Sequence, residues 1–150
     1  MCIRDRRIDS MQRGYVQELH ITEASAFIHY NFAPPSLRRD IGLLGFLHKR
    51  VLGQCHEAIV AFFPIKSHVQ PWHDKQLESY SSMCSSRWSL YDRSLFHMIH
   101  VYNRLPQDVF NVDSISGFQA CLTSMAKRRC EAGATNWRQT FHSSLAYVGN

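Results

Sequence analysis

PPSLRRDIGLLGFLHKRVLG, residues 34–53, carries the strongest helix signal in the chain and sets its architecture. Proline disfavours helical conformation in the residue before it and is tolerated in a helix's first turn, so the opening pair favours a helix start. We predict a helix with Ser36 as N-cap, running to about Leu52 and followed by Gly53 as the C-cap glycine. Its apolar residues recur at helical spacing over much of the circumference, which predicts neighbours on several sides.

Two glycines, Gly42 and Gly45, lie inside this predicted helix. Each costs roughly 1 kcal/mol relative to alanine in a helix interior. We therefore expect that a second helix crosses closely at these positions, where a larger residue would be in the way.

Shorter helices are predicted on both sides of this segment. Residues 15–32 contain two short helical pieces, the second with Thr22 as N-cap. Residues 56–63 form another, which Pro64 ends. Residues 65–91 show no helical periodicity of apolar residues. This serine-rich stretch is either a long loop or a poor hairpin.

Two further helices are predicted near the C-terminal end. Asp92 is the expected N-cap of a helix over residues 93–104. Either Asp113 or Ser114 caps the last helix, which Gly133 ends and whose last turn is basic.

These patterns predict a mainly α protein. We expect a small irregular domain of about five helices over residues 14–133, with a long irregular middle segment that has room for a short hairpin. Residues 1–13 are expected to be unstructured, and residues 134–150 to form a frayed tail. The composition, 45% hydrophobic and 19% charged over 150 residues, is that of one globular domain with a modest core.

The sequence lacks the patterns that enzymes and metal sites require. Two-metal phosphoryl chemistry needs clustered carboxylates, yet no two of the twelve acidic residues are adjacent. The nine histidines and five cysteines have no CxxC or HxxxH spacing, which favours half-buried histidines and reduced thiols over a zinc site. We therefore predict no catalytic residue, no metal and no cofactor.

Basic residues are the remaining candidates for function. The net charge of +5 is compatible with phosphate contacts and also with an ordinary domain. The candidate nucleic-acid-binding residues, at the ends of the two longest predicted helices, are Arg38, Arg39, Lys49, Arg50, Lys127, Arg128 and Arg129. Aromatic residues such as Tyr80, Trp88 and Trp137 could stack on unpaired bases. The alternatives are solvated helix faces and core aromatics, with Arg38, Arg39 and Asp40 as a structural ion-pair corner.

Four segments occur in a fixed order, and we call them the four motif segments. They are YNFAPPSLRRDIGLLGFLHKRVLG at residues 30–53, AFFP at 61–64, RSLFHMIHVYNRLPQDV at 93–109 and SISGFQACL at 114–122. Together they resemble the C-terminal region of a non-LTR (LINE-type) retrotransposon reverse transcriptase, the part beyond the polymerase and thumb. Tyr102 stands where many members of that family have tryptophan before the asparagine.

The resemblance implies a fragment of an RNA-directed DNA polymerase that lacks the family's aromatic-Ala-Asp-Asp box. Such a fragment would be a helical scaffold or a nucleic-acid-contacting appendage. Its partners would be the upstream polymerase core and RNA or DNA, in nucleus or cytoplasm, with no membrane. The alternative is a small helical protein-interaction domain, or a degenerate relic without enzymatic or nucleic-acid function.

The first six residues, MCIRDR, resemble the in-frame translation of a transposon end used in sequencing libraries. We expect residues 1–6 to be such an artefact and treat residues 7–13 as a join of unknown origin. A native start is the alternative.

Overall fold

The computed structural model describes residues 3–67, 74–79 and 94–142. These residues form six α-helices, two 3₁₀ turns and no strand. The helices are α1 (Ile3–Glu18), α2 (Glu23–Tyr30), α3 (Pro35–Val51), α4 (Glu57–Phe62), α5 (Leu95–Tyr102) and α6 (Ile115–Glu131), with 3₁₀ turns η1 (Gln107–Phe110) and η2 (Trp137–Gln139). The predicted mainly α class is confirmed.

The central helix is α3, which packs against α1, α5, α6 and η2. Its inward side chains, among them Leu37, Leu44 and Leu47, are completely buried, as expected for a helix with neighbours on several sides. α3 and α6 run in opposite directions: His48, in the C-terminal part of α3, stacks on Phe118, which is near the start of α6. The far end of α6 contacts α2, which leads directly into the start of α3.

The start of α3 differs from the prediction. The N-cap is Pro34, which has no side-chain acceptor, and the helix begins at Pro35. Asp9 of α1 supplies the missing acceptor, since its Oδ1 lies 3.3 Å from the backbone nitrogen of Ser36. Ser36 as N-cap is therefore wrong, because the acceptor comes from another helix.

The two interior glycines of α3 have different surroundings. A Cβ built on Gly45 would lie 2.4 Å from the side-chain Nε2 of Gln119 on α6, so the expected close approach is present there. Gly42 is exposed and a Cβ on it would meet nothing within 4 Å, so the expectation is wrong at that position.

Local signals at the other helix ends were mostly correct. The side chains of Thr22 and Ser114 cap α2 and α6 as predicted. Gly53 and Gly133 follow α3 and α6 with φ values of 72° and 74°, the left-handed region that glycine adopts without strain. Asp92 as the cap of α5 is wrong, because that helix begins at Leu95 with Ser94 as its N-cap.

Both predicted unstructured ends need correction. Residues 3–18 form α1, which carries the buried Asp9, so residues 1–13 are not unstructured where the structure describes them. In the expected tail, Trp137 stacks on Phe27 at 5.2 Å between ring centroids, and Phe141 is completely buried. Packing against α2 and α6 therefore extends the domain to residue 142. Residues 143–150 lie outside the described part.

The described ends of the irregular middle segment pair with each other. Ile65 and Leu77 form an isolated antiparallel bridge. Asn103, directly after α5, holds the same segment through its side chain, whose Oδ1 accepts from Leu77 N at 2.9 Å and whose Nδ2 donates to Leu77 O at 2.7 Å. Residues 68–73 and 80–93 lie outside the described residues.

Candidate nucleic-acid interface

The seven candidate cations lie at the two ends of the α3 and α6 pair and do not form one patch. Arg38 and Arg39 are at the start of α3, the end of the molecule where α6 finishes with Lys127, Arg128 and Arg129. Lys49 and Arg50 are at the opposite end of α3. From Arg38 to Lys49 the helix rises by roughly 16 Å.

Arg50 is buried. Its side-chain Nε donates a hydrogen bond to the backbone oxygen of Phe63 at 2.8 Å, which attaches the end of α4 to α3. A charged group satisfied inside the protein in this way supports packing. The burial removes Arg50 from the surface on which a phosphate backbone would lie.

Two of the three cations of α6 make internal contacts as well. Lys127 Nζ donates to the backbone oxygen of Ile28 at 3.0 Å and lies 5.7 Å from the ring centroid of Phe27. Arg129 donates to the side-chain oxygen of Asn136 at 3.0 Å. Lys127 therefore ties the end of α2 to α6, and Arg129 ties the segment after α6 back to that helix.

The predicted ion-pair corner of Arg38, Arg39 and Asp40 is present only in part at the start of α3, because Arg39 pairs with Asp40 and Arg38 does not. Arg39 Nη2 lies 3.2 Å from the Oδ1 of Asp40, whose carboxylate is buried. Arg38 donates to the side-chain oxygen of Gln12 on α1 at 3.3 Å and lies over the ring of Phe32. Both arginines keep exposed surface beyond these contacts.

Four of the seven cations are thus exposed, namely Arg38, Arg39, Lys49 and Arg128. Of the aromatic residues proposed to stack on bases, only Trp137 is in the described part of the chain, and it is not an open platform. Trp137 is buried against Phe27, and Tyr80 and Trp88 lie outside the described residues.

A groove of about 610 Å³ lies between η1 and α6. Apolar side chains including Val109 and Met125 line it, and Asp108, Arg128 and Arg129 add charge. Its size is in the range of ligand pockets. The mixed charges do not single out a phosphate-bearing ligand.

A buried histidine and tyrosine join three helices in the core. His48 Nδ1 lies 3.1 Å from the hydroxyl of Tyr102, and the His48 ring stacks on Phe118 at 4.1 Å between centroids. Burial, with a smaller contribution from the Asp74 carboxylate, raises the pKa of Tyr102, so the phenol stays protonated. Both residues are completely buried, which suits packing and leaves no access for a substrate. Sequence reasoning missed this pair, because no spacing rule links residues this far apart.

Two of the nine histidines, His97 and His100, lie three residues apart on α5 and are close in space. The rings of His97 and His100 are 6.1 Å apart between centroids. Within residues 3–67, 74–79 and 94–142, no group of three or more His, Cys, Asp or Glu could hold a metal ion. Two further histidines and one cysteine, His68, His73 and Cys84, lie outside these ranges. No helix in the described part of the chain is both long enough and apolar enough to span a bilayer.

Comparisons of the chain with protein-family models, with curated proteins and with solved structures found no match. The functional assignment therefore rests on the motif segments and on the contacts they make.

Proposed function

We propose that this chain is the non-catalytic C-terminal region of a non-LTR retrotransposon reverse transcriptase, and that it serves there as a helical scaffold. The observation that supports the scaffold role is that all four motif segments contribute buried side chains to one core. Each segment behind the resemblance therefore contributes to the packing that holds the fold together.

The contacts between the motif segments are direct. The first segment reaches the third through His48 and Tyr102, and the fourth through His48 and Phe118. The second joins both neighbours through Phe63, whose ring stacks on Phe96 at 5.2 Å and meets Phe46 edge-on at 6.4 Å. Aromatic pairs of this kind stabilise a core beyond the area they bury.

The cations favour a scaffold over a nucleic-acid-contacting appendage. Of the seven candidate cations, Arg50, Lys127 and Arg129 hydrogen-bond within the domain, and the four exposed candidates are divided between two ends. Salt-dependent affinity for nucleic acid grows with the number of phosphates that a surface contacts at once. Two small separated groups would give weak, sequence-independent binding.

A binding titration tests the scaffold role. Fluorescence anisotropy of labelled single-stranded RNA and DNA at two salt concentrations would compare the chain with the variant Arg38→Gln, Arg39→Gln, Lys49→Gln and Arg128→Gln. We expect micromolar or weaker binding at physiological salt and less than about a threefold change in the variant. Submicromolar binding that the four substitutions abolish, with an unchanged melting temperature, would replace the scaffold by a nucleic-acid-binding role.

A further inference from the structure

Basic side chains from two separate segments meet at the end of α5. His100 is in the last turn of this helix, and Arg104 follows four residues later. The helical turn continues as far as Arg104, because its backbone nitrogen donates to the oxygen of Val101 at 3.1 Å. Residues four apart share a face of a helix, so half-buried His100 and exposed Arg104 lie on the same side of α5.

The second segment brings Lys66 to the same place. The backbone nitrogen of Lys66 donates to the oxygen of Gln76 at 2.9 Å. Leu77, the next residue, is held by both polar atoms of the Asn103 side chain. Asn103 directly precedes Arg104 in the sequence. The backbone of Lys66 is therefore fixed relative to that of Arg104 by short hydrogen bonds.

The electrostatic environment of His100 is positive. Burial lowers the pKa of His100, and the charges of Arg104 and then Lys66 lower it further. Both basic side chains are therefore near enough to the His100 ring to act on it. We call Lys66, His100 and Arg104 the cationic cluster; none of the three is among the seven candidate cations considered above.

In the part of the chain that the structure describes, no carboxylate forms an ion pair with Lys66 or Arg104. Two acidic residues flank the segment that carries Leu77. Asp74 accepts from the side chain of Gln107 at 3.4 Å, and Glu78 is exposed. Positive groups that the fold holds together without such a counterion attract an anion from solution.

We propose that the cationic cluster binds a phosphate dianion, either inorganic phosphate or the phosphate group of a small phosphate monoester. Arg104 offers a planar fork of N–H donors that matches phosphate oxygens, and Lys66 adds a compact positive charge with three donors. His100 supplies a ring N–H, and its protonation becomes easier once the anion is present.

The charge of the cluster decides between phosphate classes. Lys66 and Arg104 carry two permanent positive charges, which match a monoester that is close to doubly ionised above about pH 7. A phosphodiester has a single negative charge and would leave the cluster only partly neutralised. The match therefore favours a phosphate monoester over the backbone of a nucleic acid.

A titration of the full chain with inorganic phosphate, followed by NMR at constant ionic strength, tests the site. The ring signals of His100 should shift and saturate with a dissociation constant on the order of 1 mM, because the partly exposed cations are screened by solvent. Phosphate should also raise the pKa of His100 in a pH series. The ring of His97, 6.1 Å from that of His100 between centroids, is followed in the same spectra.

Matched substitutions locate the binding. Arg104→Gln and Lys66→Gln should each weaken phosphate binding at least about fivefold, with an unchanged melting temperature, because each removes a direct donor and one charge. Arg38→Gln is the control, since it removes the same charge from an exposed arginine at the start of α3 and should leave the dissociation constant unchanged.

The ligand class is tested with methyl phosphate and dimethyl phosphate. The monoester should bind like inorganic phosphate, and the diester at least about fivefold more weakly. No saturation up to about 50 mM phosphate, roughly fifty times the expected dissociation constant, would overturn the proposal. Equal losses in Arg104→Gln and Arg38→Gln would also overturn it. So would equal binding of the diester or of single-stranded RNA without terminal phosphates, which would assign the cluster to a nucleic-acid backbone.

Discussion

Replacing Asn103 by alanine should be among the most damaging single substitutions in this chain. The Asn103 amide is buried and makes both of its hydrogen bonds with the backbone of one residue, Leu77. The amide pairs with Leu77 in the way the backbone of a neighbouring strand would, and so holds residues 74–79 against the end of α5. Leu77 is itself completely buried, so its N–H and C=O have no exposure to water while the segment stays in place.

The cost follows from these contacts. Two hydrogen bonds contribute roughly 1 kcal/mol each, and leaving a buried backbone group unsatisfied costs about 1–3 kcal/mol more. If residues 74–79 detach instead, water solvates the backbone, but the burial of the Leu77 side chain is lost, at about 1.5–3 kcal/mol. Both routes predict a loss of about 3–5 kcal/mol, a large part of the stability of a domain this size.

Urea denaturation followed by circular dichroism measures the loss, and amide hydrogen exchange at residues 74–79 distinguishes the two routes. Asn111→Ala, at an exposed asparagine, is the control and should change stability by less than about 0.5 kcal/mol. A similarly small loss for Asn103→Ala, with unchanged exchange at Leu77, would refute the reasoning.

Three further predictions concern single residues. Gly42→Ala should stabilise the protein by up to about 1 kcal/mol in thermal melts, because the position is exposed, helical and open, whereas Gly45→Ala should gain less because Gln119 must move. Burial, then Arg104 and Lys66, lowers the pKa of His100, so the folded state disfavours its protonation and stability falls as pH drops below about 6.5. His100→Gln should therefore lose less stability than the unmodified chain between pH 7 and pH 5; an equal loss would contradict this. Burial raises the pKa of the Cys130 thiol, so site-resolved mass spectrometry should find Cys130 alkylated more slowly than the less buried Cys55, and equal rates would argue against it.

Local signals predicted most of the helices, but not α1 over residues 3–13. Thr22 and Ser114 were identifiable as caps because a cap and the N–H it binds are three residues apart. Asp9 could not be identified as the residue that supports the start of α3, since it is 27 residues from its partner Ser36. Residues 3–13 of α1 were not predicted as a helix, because the resemblance of residues 1–6 to a sequencing-library end led us to expect no structure there. The contacts that hold this part of α1, from Asp9 to Ser36 and from Gln12 to Ala33, are long-range.

The separation of the interacting residues along the chain also distinguishes the predicted from the missed parts of the candidate interface. Composition and helix position identified the cations, but only the folded chain brings Arg50 to the carbonyl of Phe63 and Lys127 to that of Ile28. The latter pair is 99 residues apart. The core pairing of His48 with Tyr102 was missed for the same reason, because hydrophobic periodicity assigns both residues to a face and says nothing about which faces meet.

The most direct test of the central proposal, that this chain is the C-terminal region of a retroelement polymerase, is a long-read sequence of the genomic DNA upstream of codon 7. We predict an open frame that continues into the four motif segments and encodes an aromatic-Ala-Asp-Asp box, with codons 1–6 not contiguous with it. If no genomic copy has such a frame upstream, the proposal is contradicted.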